Sequence, residues 1–182
     1  MIIIRSLRAD DIPAVKRVIY TVAYSIFGGY DSLEDSIRAM EHEGELADLD
    51  RAQAEYADRG GTFLVAVDGD RVIGSGAIRG LDDVTAEVKR LWLLEGFHGR
   101  GIGWQLMRRL IEFASRKGYR RLVLQTSPKQ QRALTFYRRL GFREIPTYNE
   151  DRDEISMELP LDGTIPGLGR HKVEKGKSDE PA

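Results

Sequence analysis

The chain has 182 residues, with 28 Lys and Arg against 29 Asp and Glu and a formal net charge of −1 at pH 7. That length suits one domain with a sizeable core, and the balanced charge excludes the bulk basic field that draws a chain to nucleic acid or to an anionic membrane. The absence of cysteine excludes disulfides, thiolate metal sites and a cysteine nucleophile, and the separated His42, His98 and His171 offer no zinc-binding pair, so no metal is expected.

Ile2 to Arg8 reads as a first strand. Met1-Ile2-Ile3-Ile4-Arg5 is too short for a secretory signal, and no apolar run approaches the ~20 residues of a membrane span, so a cytoplasmic protein is expected. Asp10 or Asp11 can cap the next helix, with Pro13 acceptable in its first turn and Ile12, Val15, Val18 and Ile19 forming its apolar face. Phe27-Gly28-Gly29-Tyr30 is a flexible turn whose aromatics either pack on a ligand or anchor the loop to the core. Polar, helical sequence follows to about Arg59. Within it Glu41, Glu43, Glu45, Asp48 and Asp50 either attract a cation or form a solvated face.

Thr62 to Val67, the turn Asp68-Gly69-Asp70 and Arg71 to Ile78 predict a hairpin. A strand from Thr85 to Leu94 comes next. Plain alternation puts Glu87, Lys89, Leu91 and Leu93 on one face, unless a bulge resets the order. That strand runs into His98-Gly99-Arg100-Gly101-Ile102-Gly103-Trp104, which opens a helix with apolar Leu106, Leu110, Ile111 and Phe113. Glycines allow close approach, and the first helical N–H groups lack internal partners at the positive end of the helix dipole, so a phosphate suits this place. A tight connection alone would also call for glycines here. No Gly-Lys-Ser/Thr follows Gly103, and residue 106 is Leu, so neither the Walker loop nor the dinucleotide fingerprint fits.

Arg116-Lys117-Gly118 ends the helix, and Leu122 to Thr126 is a buried strand. Ser127-Pro128 starts the next helix and Gly141 stops it, while Phe142 to Thr147 and Glu154 to Leu159 form an antiparallel pair. From 161 to 182 the chain turns to Gly, Lys, Glu and Pro and is expected to be a disordered tail after a domain of residues 1–160. The mixed order, hairpins around a strand-helix-strand unit, predicts an α/β or α+β sheet with helices on both faces.

His98-Gly99-Arg100-Gly101-Ile102-Gly103, followed downstream by Tyr137-Arg138-Arg139-Leu140-Gly141-Phe142, resembles the GNAT superfamily of acyl-CoA-dependent N-acetyltransferases, whose signature is R/Q-x-x-G-x-G/A and a later Tyr-x-x-x-Gly-Phe. The second motif is intact; the first departs only at its head, where His98 replaces Arg or Gln. The resemblance covers roughly residues 2 to 159 and implies a mixed, mostly antiparallel sheet of six to seven strands. It further implies acetyl-CoA as donor, with its pyrophosphate on the N–H groups of Gly99, Arg100, Gly101, Ile102, Gly103 and Trp104. Arg100 would add charge, and the strand of Leu91 and Leu93 would part from its neighbour to pair with the pantetheine arm. Gln130 falls where many members contact that arm; as a helix-start residue it would look the same.

The reaction implied is direct attack of a primary amine, on a small molecule or a peptide, on the thioester. Glu87 stands where several members place their base, or is a solvated strand charge. Tyr137 is the candidate acid toward the CoA sulfur, although Ala133, Phe136, Tyr137 and Leu140 form an apolar stripe in which a core tyrosine would look alike. A second family position for glutamate holds Gln125, which cannot act as a base. The resemblance allows a homodimer. The alternative to an enzyme is a non-catalytic acyl-CoA-binding sensor or scaffold.

Overall fold

The computed structural model describes residues 1–162, centred on one seven-stranded sheet in the order β1-β2-β3-β4-β5-β7-β6. The strands are β1 Ile2–Ser6, β2 Thr62–Asp68, β3 Arg71–Gly80, β4 Thr85–Leu93, β5 Arg121–Thr126, β6 Arg143–Ile145 and β7 Ile155–Pro160. All neighbours pair antiparallel except β4 with β5. The helices are α1 Ile12–Phe27, α2 Leu33–His42, α3 Ala47–Asp50, α4 Ile102–Lys117 and α5 Gln131–Arg139. A mixed sheet clad with helices agrees with the order of elements, and its seven mostly antiparallel strands agree with what the resemblance implies.

The sheet has an apolar core on each face. On one, Leu64, Ile78, Val88, Leu122 and Leu124 pack with Leu106, Leu110 and Ile111 of α4 and Leu134 and Tyr137 of α5. On the other, Val65, Val67 and Ala77 pack with Val15, Val18 and Ile19 of α1, Leu49 of α3 and Tyr56. The central strands are therefore apolar at consecutive positions, because both of their faces are covered. The β2–β3 hairpin turns at Asp68-Gly69-Asp70 with Gly69 at φ +58°, a left-handed position that glycine adopts without strain.

Local chemistry moved several boundaries. Asp11 does not cap α1 with its side chain; it accepts the Arg8 N–H at 2.8 Å and a two-pronged bond from Arg5 at 2.6 and 2.9 Å, closing the turn before the helix. The helical stretch expected from Ser32 to Arg59 is interrupted at Gly44, φ +72°, and resumes as α3 and then a π-helical turn, Gln53–Ala57. α5 begins at Gln131 rather than at Ser127-Pro128, because Gln130 Oε1 accepts from Thr126 Oγ1 and Ser127 N, both at 3.0 Å, and holds the connection as a turn. β6 is only Arg143–Ile145, with Pro146 directly after it. Of the expected tail, residues 163–182 lie outside the described residues. Leu161 still belongs to the domain, its N–H donating to Arg120 O at 2.7 Å. Among the described residues no helix is long and apolar enough to cross a membrane.

Candidate active site

The glycine turn is built by the main chain and left open. After β4 a short 3-10 turn, Glu95–Phe97, leads to His98, and Gly99 and Gly101 take φ +76° and +74°. A Cβ placed on either would meet nothing within 4 Å, so the chain's own side chains do not plug the turn. The N–H of Gln105 makes the first bond of α4, to Gly101 O at 3.0 Å, so the N–H groups of Ile102, Gly103 and Trp104 precede the intrahelical ladder. At Gly103 the added Cβ would lie 3.8 Å from Phe136, so the helix start and α5 are close together. The Arg100 guanidinium lies over the Phe97 ring, 5.1 Å from its centroid, and that of Arg108 over Trp104 at 5.9 Å.

His98, the departure at the head of the motif, ties the turn to the strand before it, with Nε2 3.0 Å from Leu93 O. Its Nδ1 is buried with no hydrogen-bond partner among the described residues. Open glycines and helix N–H groups outside the ladder fit an anion with several oxygen acceptors.

β4 and β5 then part. Their parallel pairing covers only Thr85–Glu87 against Arg121–Val123; β5 continues to Thr126 against β7, and β4 to Leu93 against β3. A bulge accompanies the parting. Ala77 faces Lys89 but Ser75 faces Trp92, so an extra β4 residue is accommodated opposite Gly76. Arg90 sits there at φ +55°, the one non-glycine residue with positive φ among those described. Its carbonyl accepts from Ser75 Oγ at 2.7 Å, and its guanidinium donates to Asp48 at 2.6 and 3.0 Å and to Glu45 O at 2.9 Å.

This bulge corrects the plain alternation. Residues directly opposite each other share a face, so Lys89 (with Ala77) and Glu87 (with Arg79) face α1. Leu91 and Leu93, past the bulge, pack instead with Val88 in the core beneath α4, and Leu91 closes on Leu110 over Gly76. Trp92 takes the α1 face.

Glu87 is 5% exposed, so it is no solvated strand charge. Arg79 Nε donates to its Oε2 and the Tyr148 hydroxyl to its Oε1, each at 2.8 Å. Burial, then the charge of Glu87, pushes the Tyr148 hydroxyl well above the usual phenol range. Tyr148 lies in the β6–β7 segment, which Gln125 fastens to the end of β5 through Asn149 Oδ1 at 2.7 Å. Sequence reasoning missed Tyr148, and its only signal was an aromatic among polar residues before β7. Gln125, noted only for what it cannot do, proves to be this segment's anchor.

Tyr137 is 6% exposed, between Phe136 and Phe142 with ring centroids 5.7 Å away on each side. Burial raises its pKa, and among the described residues its hydroxyl has no hydrogen-bond partner. It belongs to the α4-side core, whereas Glu87 faces α1. The structure thus does not pair these two candidates; they flank the sheet on either side of the parted strands. The side-chain carbonyl of Gln130 is engaged by Thr126 and Ser127, as for a helix-start residue.

On the α1 face a cavity of about 320 Å³ reaches Arg90 and Trp92 of β4. Its wall includes Tyr24, Phe27, Tyr30, Glu43 and Glu45, so the aromatic turn and the acidic segment, unconnected in sequence, meet there.

The family model described as "Acetyltransferase (GNAT) family" matches residues 30–142. An uncharacterized N-acetyltransferase of Mycobacterium bovis is 32% identical over 109 residues, covering 58% of this chain and 70% of that protein. N-acetylaspartate synthetase of Danio rerio is 35% identical over 117 residues, 64% of this chain and 37% of that one. In fold, a GNAT-family acetyltransferase from Staphylococcus aureus superposes with TM-score 0.75 at 21% identity, covering 88% of this chain and 99% of that one. The PaiA N-acetyltransferase of Thermoplasma acidophilum, solved with coenzyme A, superposes with TM-score 0.70 at 24% identity over 88% and 99%.

Proposed function

The chain belongs to the GNAT acetyltransferase family, and from that premise we propose that it moves an acetyl group from acetyl-CoA directly to a primary amine while both are bound. The observation that carries this reading is the continuity of an unplugged glycine cradle with a strand edge left unpaired by β5. Acetyl-CoA supplies an activated carbonyl on a thioester. The N–H groups of residues 99–104 hold its diphosphate, with Arg100 adding charge. The open edge of β4 at Leu91 and Leu93 pairs with the pantetheine amides as an added strand would. Gln130 keeps its amide N–H donors for that arm.

The acceptor enters from the α1 face, through the cavity between the Phe27–Tyr30 turn and Trp92, where Glu43 and Glu45 favour a cationic, partly apolar amine. An alkylammonium with a pKa of about 10 must lose a proton before it attacks. Glu87 takes that proton, with the Tyr148 hydroxyl, already donating to Glu87, as relay. Tyr137, kept protonated by its raised pKa, gives a proton to the departing sulfur from the other side of the sheet.

The test is thiol release from acetyl-CoA over an amine panel, with CoA binding measured in parallel. Glu87→Gln and Tyr137→Phe are each expected to lower kcat by about 10²-fold, the usual weight of a positioned acid or base, while leaving CoA binding intact. Unchanged rates in both variants would reject these roles. Binding of CoA with no turnover on any amine would favour a sensor.

A further inference from the structure

Lys89 is a basic group on the α1 face of β4 that the proposed reaction does not use. It lies two residues after Glu87 and just beyond Glu87–Val123, the last pair joining β4 to β5, so it borders the mouth of the parted strands. Its cross-strand neighbour is Ala77, which sets it on the same face as Glu87. The flanking arginines are both engaged, Arg79 with Glu87 and Arg90 with Asp48, whereas no hydrogen bond or ion pair holds the half-buried Lys89 ammonium among the described residues. The charges facing it are Glu87 and Arg90 on its own strand, Arg79 on β3 and Asp48 on α3.

We propose that Lys89 is an internal acceptor: the donor bound between β4 and β5 acetylates its Nζ. The inference rests on the acetyl-CoA reading above. The neutral amine attacks the thioester carbonyl, a C–N bond forms as the C–S bond breaks, the nitrogen gives up one proton and the sulfur gains one. The products are ε-acetyl-lysine and the free CoA thiol. Burial lowers the Lys89 pKa, and Arg79 and Arg90 add to that effect against Glu87 and Asp48, which favours the free amine that the step requires. Acetylation removes an unpaired cation from the face that a cationic amine must approach.

The experiment uses the full chain with acetyl-CoA, peptide mass spectrometry over time and calorimetric CoA binding. Lys89 is expected to acquire one acetyl group at least about 10²-fold faster than the exposed Lys117 and Lys129, a modest share of what proximity supplies. In Lys89→Arg, checked for folding by its melting curve, that modification is lost. A second measurement needs no turnover: trace acetic anhydride, applied across a pH series, should label Lys89 with a lower midpoint than Lys117 and Lys129, and desulfo-CoA should protect it. CoA binding with Lys89 modified no faster than the surface lysines overturns this inference and leaves the proposed function standing. Failure to bind CoA overturns both.

Discussion

Substituting Gly101 separates the strain of the glycine turn from its use as an anion cradle. At φ +74° any side chain is strained, and about 1–2 kcal/mol is the penalty for a left-handed L-residue. A Cβ there meets no atom within 4 Å, so no steric clash adds to this. Gly101→Ala and Gly101→Glu should therefore lose similar stability, about 2–4 °C in Tm per kcal/mol for a chain of this size. Their ligand binding should differ. A carboxylate about 5 Å from a diphosphate charge is opposed by about 3 kcal/mol at an effective dielectric constant near 20. Water and salt at an exposed turn reduce that by about half, which still leaves about a tenfold weaker Kd for CoA. Calorimetric titration with CoA, beside melting curves, reads both effects. If Gly101→Glu melts as low as Gly101→Ala yet binds CoA as tightly as the parent chain, the diphosphate does not lie at this turn.

Asp48→Asn leaves the Arg90 guanidinium without its charge partner at a largely buried site and should destabilise the fold by about 2 kcal/mol, read by denaturant unfolding. A loss below a few tenths would mean that the pair does not hold the bulge. Acid should act through the same carboxylate. The bond from Arg5 outweighs burial to lower the Asp11 pKa; at Asp48, burial pulls upward but the Arg90 bonds and charge and the Tyr56 hydroxyl prevail. Both groups titrate lower when folded, so their stabilisation is complete above the ordinary carboxylate value of ~3.9 and disappears as pH falls below it through the folded values. Melting temperature should thus fall below about pH 4 for this reason, with a shallower fall in Asp48→Asn; an identical acid slope in that variant would refute the assignment.

The glycine turn, the Tyr137 helix and the two-sided central strands were legible because each depends on local chemistry: left-handed glycines, a helical apolar stripe, consecutive apolar residues. The bulge was not. Nothing in Lys89-Arg90-Leu91 signals an extra residue, since the bulge is held by Ser75 on the neighbouring strand and Asp48 on α3. Alternation without it would set Leu91 and Leu93 on the face of Glu87, and the bulge that was allowed for turns them to the other. Tyr148 was hidden for a like reason, its partner Glu87 lying 61 residues away in the chain. Residues 32–59 read as polar, helical sequence without a marked interruption, and the break shows only in the left-handed Gly44.

The brief contact between β4 and β5 leaves a seam through the middle of the sheet. Three residue pairs join the half containing β1 to β4 to the half containing β5 to β7. A donor lying along that seam, as proposed above, would touch both banks and supply part of the cohesion that backbone pairing otherwise gives. Substrate and polypeptide would then jointly complete the scaffold, and release of spent CoA would coincide with the moment at which the two halves are freest to breathe.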